Sequence, residues 1–123
     1  MPEPRHVVGK AGEEAAVQYL CQLGYQILER NYRCRFGEID LIARDGRTLA
    51  FVEVKTRRSQ KYGPAAAAVT VQKQRHLIKA SQIYLIHRKK GDEFCRFDVV
   101  TVELNAHEPR IALIKDAFQS TSD

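Results

Sequence analysis

Three carboxylates and one amine in this chain are spaced so that a single sheet surface could carry all of them. Glu38 and Asp40 lie in the segment GEIDLIARD, and Glu53 and Lys55 in FVEVKTR. Residues two apart on a strand share a face, and so do directly opposed residues on paired strands. Carboxylates crowded in this way repel one another and hold their protons more tightly. A hard divalent cation, Mg²⁺ or Mn²⁺, relieves that repulsion, because such ions take a few carboxylate oxygens and keep several waters. An amine beside the acids could orient a water or stabilise charge developing on a phosphate. The same spacing also suits a solvated strand face with cross-strand ion pairs, and the pattern alone leaves both readings open.

A hairpin over Gly37 to Arg57 must position these groups. Asp45-Gly46 is a two-residue turn signal, since both residue types tolerate positive φ. Counting outward from it sets Arg44 opposite Arg47, Ile42 opposite Leu49, Asp40 opposite Phe51 and Glu38 opposite Glu53. The four charged residues then project from one face. Ile39, Leu41, Ala50, Val52 and Val54 take the other as a core face.

Upstream, residues 9–23 predict a helix with Ala15, Ala16, Tyr19, Leu20 and Leu23 as its apolar stripe and Gly24 at the C′ position. At ~100° per residue Glu13 borders the stripe and can reach over the sheet, whereas Glu14 turns away. Glu13 is either a first-turn acid favoured by the helix dipole or a group facing the site. A strand follows over Tyr25 to Arg33, with Tyr25, Ile27 and Glu29 on one side and Leu28 on the other. Residues 57–63 are a polar, basic loop. Thr70 is an N-cap for a helix over 71–88, and 89–92 form a turn. Two strands, 94–104 and 110–117, complete the chain. The order α-β-β-β-α-β-β predicts one α/β domain over residues 1–123, a mixed central sheet flanked by helices, with loose tails at 1–6 and 118–123.

The 123 residues suit one modest core, with 44% hydrophobic and 28% charged residues. A net charge of +5 and a pI near 9.3 favour an anionic partner, nucleic acid ahead of membrane. No apolar run approaches the ~18 residues of a membrane span, and MPEPRH lacks a secretory apolar core. Cys21, Cys34 and Cys95 are widely spaced and odd in number, which reads as reduced thiols in the cytoplasm. His6, His76, His87 and His107 have no zinc-ligand spacing.

Asp40, Glu53 and Lys55 read D-x(12)-E-x-K across a hairpin, which resembles the PD-(D/E)xK nuclease signature. The fuller set extends the likeness over roughly residues 9–103. It comprises Gly12-Glu13, GYQILERNYR, the two strands, the segment 63–73 and RFDVV at Arg96 to Val100. Together they resemble the bacterial YraN family, which is similar to the archaeal Holliday-junction resolvases. One departure is Ile39 in the place of the signature proline. The resemblance implies a restriction-endonuclease-like αβββαβ core and an endonuclease acting on DNA, with branched or structured DNA among its candidate substrates and a homodimer as its candidate assembly.

On that basis Asp40, Glu53 and the Val54 carbonyl are expected to hold Mg²⁺ or Mn²⁺, with Glu13 holding the metal or its water. Lys55 is expected to position the attacking water, and Glu38 to be a second ligand or a supporting acid. Arg33, Arg35, Arg57, Arg58, Lys61, Lys73 and Arg75 are candidate phosphate contacts, which position a backbone without reading sequence. Each of these basic residues is equally readable as solvated surface charge. Asp98 is expected to be structural, paired with Arg96 or a lysine of the second helix. The alternatives are a non-catalytic nucleic-acid-binding module on a nuclease fold, and a protein-interaction adaptor. Cleavage that requires a divalent metal separates the enzyme from the binder.

Overall fold

A computed structural model of the chain describes residues 5–57, 69–89, 93–104 and 108–119. Its elements are α1 (Arg5–Gln22), β1 (Gln26–Cys34), β2 (Gly37–Asp45), β3 (Thr48–Arg57), α2 (Val71–Arg88), β4 (Phe94–Glu103) and β5 (Arg110–Phe118). The five strands form one sheet in sequential order. Only the β3–β4 pair is parallel, and the rest are antiparallel. A parallel neighbour requires a crossover, and α2 lies within it. The result is a mixed sheet with a helix on each face, consistent with the expected restriction-endonuclease-like core.

Local chemistry explains the helix ends. The α1 helix stops where Gly24 takes φ 95° and the Tyr25 and Gly24 amides donate to the Leu20 and Cys21 carbonyls, a Schellman closure. Its start at Arg5 is earlier than the expected residue 9. The α2 helix begins at Thr70, whose Oγ1 accepts from the Lys73 amide at 3.1 Å. It has the bounds expected from sequence. Phe118, expected in a loose tail, closes β5 and stacks on Phe97 at 4.9 Å.

The expectation of one core face on the hairpin is corrected. Helices bury both. On one face Ala16, Val17 and Leu20 of α1 pack with Leu41, Ala43, Ala50 and Val52. On the other, Leu77, Ala80 and Tyr84 of α2 pack with Ile39, Ile42, Leu49 and Phe51. A sheet covered on both sides carries nearly continuous apolar strands instead of clean alternation. Ile39 therefore belongs to the α2 layer and not beside Leu41. The change of layer falls between the Arg30–Leu41 and Tyr32–Ile39 pairs, where Asn31 takes a left-handed φ of 55°. Earlier in β1 the register shifts between Ile27 and Glu29. That shift sends Glu29 to Arg88 of α2 at 3.0 Å, away from the Tyr25 side where it was expected.

The turn register is corrected as well. Asp45 pairs with Thr48, Arg44 with Leu49 and Ile42 with Phe51, so the two loop residues are Gly46 and Arg47. Gly46 alone has positive φ, at 62°, which fits a glycine-first turn. Asp45 stays in the strand because Arg96 donates to its Oδ2 at 2.8 Å and Lys115 lies 3.4 Å away. The loop keeps an even length, so Asp40 and Glu53 still adjoin one pair, Leu41 and Val52, the last of the ladder. The face expected to carry all the charged groups is corrected for Glu38: beside Ile39 of the α2 layer it falls on the α1 side, whereas Glu53, beside Val52 of the α1 layer, falls on the α2 side.

Candidate functional site

The β2–β3 ladder ends at Leu41 opposite Val52. Past that point β2 continues against β1 as far as Gly37, and β3 continues against β4 as far as Arg57. The two strands part, and Asp40 and Glu53 are the first residues beyond the last rung. In place of a ladder carbonyl, Asp40 Oδ2 accepts the Val54 amide at 2.8 Å. Asp40 thus stitches the split, and its carboxylate is fixed against β3.

Glu53 is 5% exposed and its Oε2 has no hydrogen-bond partner among the described residues. Two ammonium groups approach the other oxygen: Lys73 Nζ at 3.8 Å and Lys55 Nζ at 4.0 Å. Both are beyond hydrogen-bonding distance, so the charge is balanced only loosely. Burial, then the repulsion of Asp40, pushes the Glu53 carboxyl up to about 7; Lys73 and Lys55 oppose this. Burial pushes Asp40 up to about 6, against the lowering effect of the Val54 amide. Glu13 and Glu38 raise it further and Lys73 lowers it. A rise from 4.5 to about 7 corresponds to roughly 3 kcal/mol between the two charge states.

The α1 helix crosses β3 at Gly12. A Cβ there would overlap Thr56 Oγ1, so only glycine permits this approach. The next residue, Glu13, is half-buried and lines a cavity of about 560 Å³ shared with Asp40, Glu38, Asn31 and Arg33. Glu14 lines the same cavity but pairs with Arg30 of β1 at 2.8 Å. It is tied to the sheet edge and not turned away from the sheet as its helical position suggested.

The chain thus brings Asp40, Glu53, Lys55 and Glu38 together, with Glu13 beside Asp40. Glu38 faces Arg33 across the β1–β2 pair at 3.7 Å and not Glu53, a consequence of the corrected register. Val54 meets Asp40 through its amide. Lys73, expected as a phosphate contact, stands at the acid pair itself. Its position on the first turn of α2 was legible from the Thr70 cap, but the helix's placement over the strand split was not. Arg57 ends β3 two residues past Lys55, Arg75 is exposed on α2, and Arg33 and Arg35 are exposed around the β1–β2 turn. Arg58 and Lys61 lie outside the described residues. Asp98 is fully buried. It accepts from Arg96 through both oxygens, at 2.8 and 3.0 Å, from Tyr25 at 3.2 Å and from the Asp116 amide at 3.0 Å, a structural role.

Among the described residues no three acidic, His or Cys side chains close into a ready-made metal cluster. The acids present fit a cation nonetheless: one buried carboxylate oxygen lacks a partner, and two raised carboxyls face each other.

Residues 12–102 match a family described as "Uncharacterised protein family UPF0102". The chain belongs to the UPF0102 family. It is 56% identical over 111 residues to the UPF0102 protein of Syntrophus aciditrophicus, covering 90% of this chain and 87% of that one. It is 48% identical over 113 residues to the UPF0102 protein of Caldicellulosiruptor saccharolyticus, covering 90% and 96%. The UPF0102 match begins at Gly12, the α1–β3 crossing, and ends at Val102 in β4, so it contains every residue of the site described above. No described helix is long and apolar enough to cross a membrane.

Proposed function

We propose that this UPF0102 protein is a divalent-metal-dependent endonuclease that hydrolyses a phosphodiester of DNA at the split between β2 and β3. The observation that carries the reading is the buried Glu53 oxygen beside Asp40, which has no partner among the described residues, with two lysines at the rim. A buried carboxylate whose nearest cations stand at 3.8 and 4.0 Å, beyond hydrogen-bonding distance, is only loosely balanced, which suits a site that takes a further cation. The likeness of the ordered motif set to the resolvases supports the same chemistry. Branched or structured substrates and a homodimer are taken from that likeness.

Asp40, Glu53 and the Val54 carbonyl would hold Mg²⁺ or Mn²⁺, with Glu13 at the outer side and Glu38 supporting. When bound, the ion supplies Lewis acidity at the phosphate and makes a nearby water easier to deprotonate. Asp40, which lines the cavity, is oriented by the Val54 amide at Oδ2, and its other oxygen would be the one to meet the ion. Lys55, half-buried, holds the attacking water and faces charge that develops on the phosphate. Lys73 shares the Glu53 oxygen while the site is metal-free, and turns to the phosphate once that charge is balanced otherwise. Exposed arginines around the cavity draw the nucleic-acid backbone in.

Calorimetric titration with Mn²⁺ tests the metal part without any substrate. Wild-type protein is expected to bind, and Asp40→Asn and Glu53→Gln to lose most of the heat while remaining folded. Equal binding by all three proteins would remove the site from the reading.

A further inference from the structure

A second cavity, about 560 Å³, opens on the outer side of β1 and α2, within the roughly 300–1,000 Å³ of ligand-sized pockets. Its walls are Tyr32, Arg33, Cys34, Arg35, Ile83 and His87, with no acidic residue among them. Tyr32 is held by an edge-on contact with Tyr84, ring centroids 5.3 Å apart. At the turn beside Arg35, the Phe36 ring has the Arg35 guanidinium 4.8 Å and the Lys79 ammonium 5.4 Å from its centroid. Arg33 also lines the cavity that holds Asp40 and Glu38, so one side chain, 79% exposed, joins the two spaces.

Duplex grooves do not need such a cleft. A rigid double helix presents phosphates outward and keeps its bases stacked on one another. Flat aromatic and guanidinium faces among cations instead suit bases that have left a duplex, each with an open π-face and a phosphate beside it. We infer that the Tyr32–Arg35–His87 cleft, with Phe36 at its rim, takes an unpaired strand running past Arg33 from the acid pair. The substrate is then nucleic acid with a single-stranded portion adjoining the cleavage point, and not uninterrupted duplex. This rests on the nucleic-acid reading above.

The test measures binding alone, by fluorescence anisotropy in EDTA, so that cleavage plays no part. The probes are a labelled blunt duplex and the same duplex with an oligo-dT overhang. Wild-type protein is expected to favour the overhang by about tenfold, the order of one well-stacked base. Phe36→Ala should abolish most of that preference and change blunt-duplex affinity little. Arg35→Ala, which also removes a candidate phosphate contact, should weaken both probes and the overhang the more, so that the preference is lost. Arg35→Lys, which keeps the charge and loses the flat guanidinium, should recover blunt-duplex affinity and not the preference. Equal wild-type affinity for the two probes overturns the inference. So does a loss in Arg35→Ala that is the same for both probes, or full restoration by Arg35→Lys, since either means simple charge. If wild-type protein binds neither probe, the nucleic-acid reading itself falls, and this inference with it.

Discussion

The decisive residue is Glu53, because its burial, its unpartnered oxygen and its neighbour Asp40 all act in one direction. Both carboxyls are raised above their ordinary values of 4.5 and 3.8. A raised acid favours the folded state below its unfolded value, and that stability is lost as pH rises through the folded value. Metal-free protein should therefore melt progressively lower as pH goes from about 4 to about 7, and Mg²⁺ or Mn²⁺ should restore the loss at pH 8. Asp45, held low by Arg96, contributes the opposite limb at acid pH, so the comparison is made against Asp40→Asn, where the neutral-pH loss should shrink. Differential scanning fluorimetry across pH measures this; parallel curves for wild type and variant would contradict it. The two lysines separate by role. Lys55→Ala should keep metal and lose turnover by roughly a hundredfold or more, the scale of a lost proton-handling group. Lys73→Ala should lose less turnover and bind metal more tightly, because a competing cation at Glu53 is gone. Calorimetry and single-turnover rates on the two variants check both.

At the scale of elements, the site depends on how closely α1 approaches β3. Gly12→Ala would drive a methyl into Thr56, and relief requires α1 to lift, taking Glu13 with it. A loss of about 1–3 kcal/mol is expected by urea denaturation, as for other overpacked contacts. Thr56→Ala should recover part of it in the double variant. The bounds of α2 and the end of α1 were legible because caps are local: Thr70 and Gly24 announce themselves in sequence, whereas the start of α1 at Arg5 was not. The shared face of Asp40 and Glu53 was legible because strand parity tolerates a slip of the turn by one residue on each side. The register itself was not, since Asp45 is kept in the strand by Arg96, fifty-one positions on. Nor was the second core face, because alternation in a doubly covered strand is masked by apolar residues on both sides. The strand split at Asp40 and the arrival of Lys73 are tertiary facts with no local signature.

For the whole molecule, the charge of +5 sits on a fold with one acid-lined cavity, holding Glu13, Glu14, Glu38 and Asp40, beside the exposed Arg30, Arg33 and Arg35. Binding that releases counterions should weaken steeply with salt, by orders of magnitude between about 50 and 200 mM if six or more phosphates are contacted. Affinity that stays flat across that range would point to a partner other than nucleic acid. The most direct measurement of the central claim is cleavage of labelled branched and linear DNA by wild type, Asp40→Asn and Glu53→Gln, purified side by side. Wild-type protein should cut only when Mg²⁺ or Mn²⁺ is present, and each variant should lose nearly all cutting while still binding DNA in EDTA. Cutting that is undiminished in both variants, or wild-type protein that binds DNA in a salt-dependent way and never cuts it with either metal, would contradict the account.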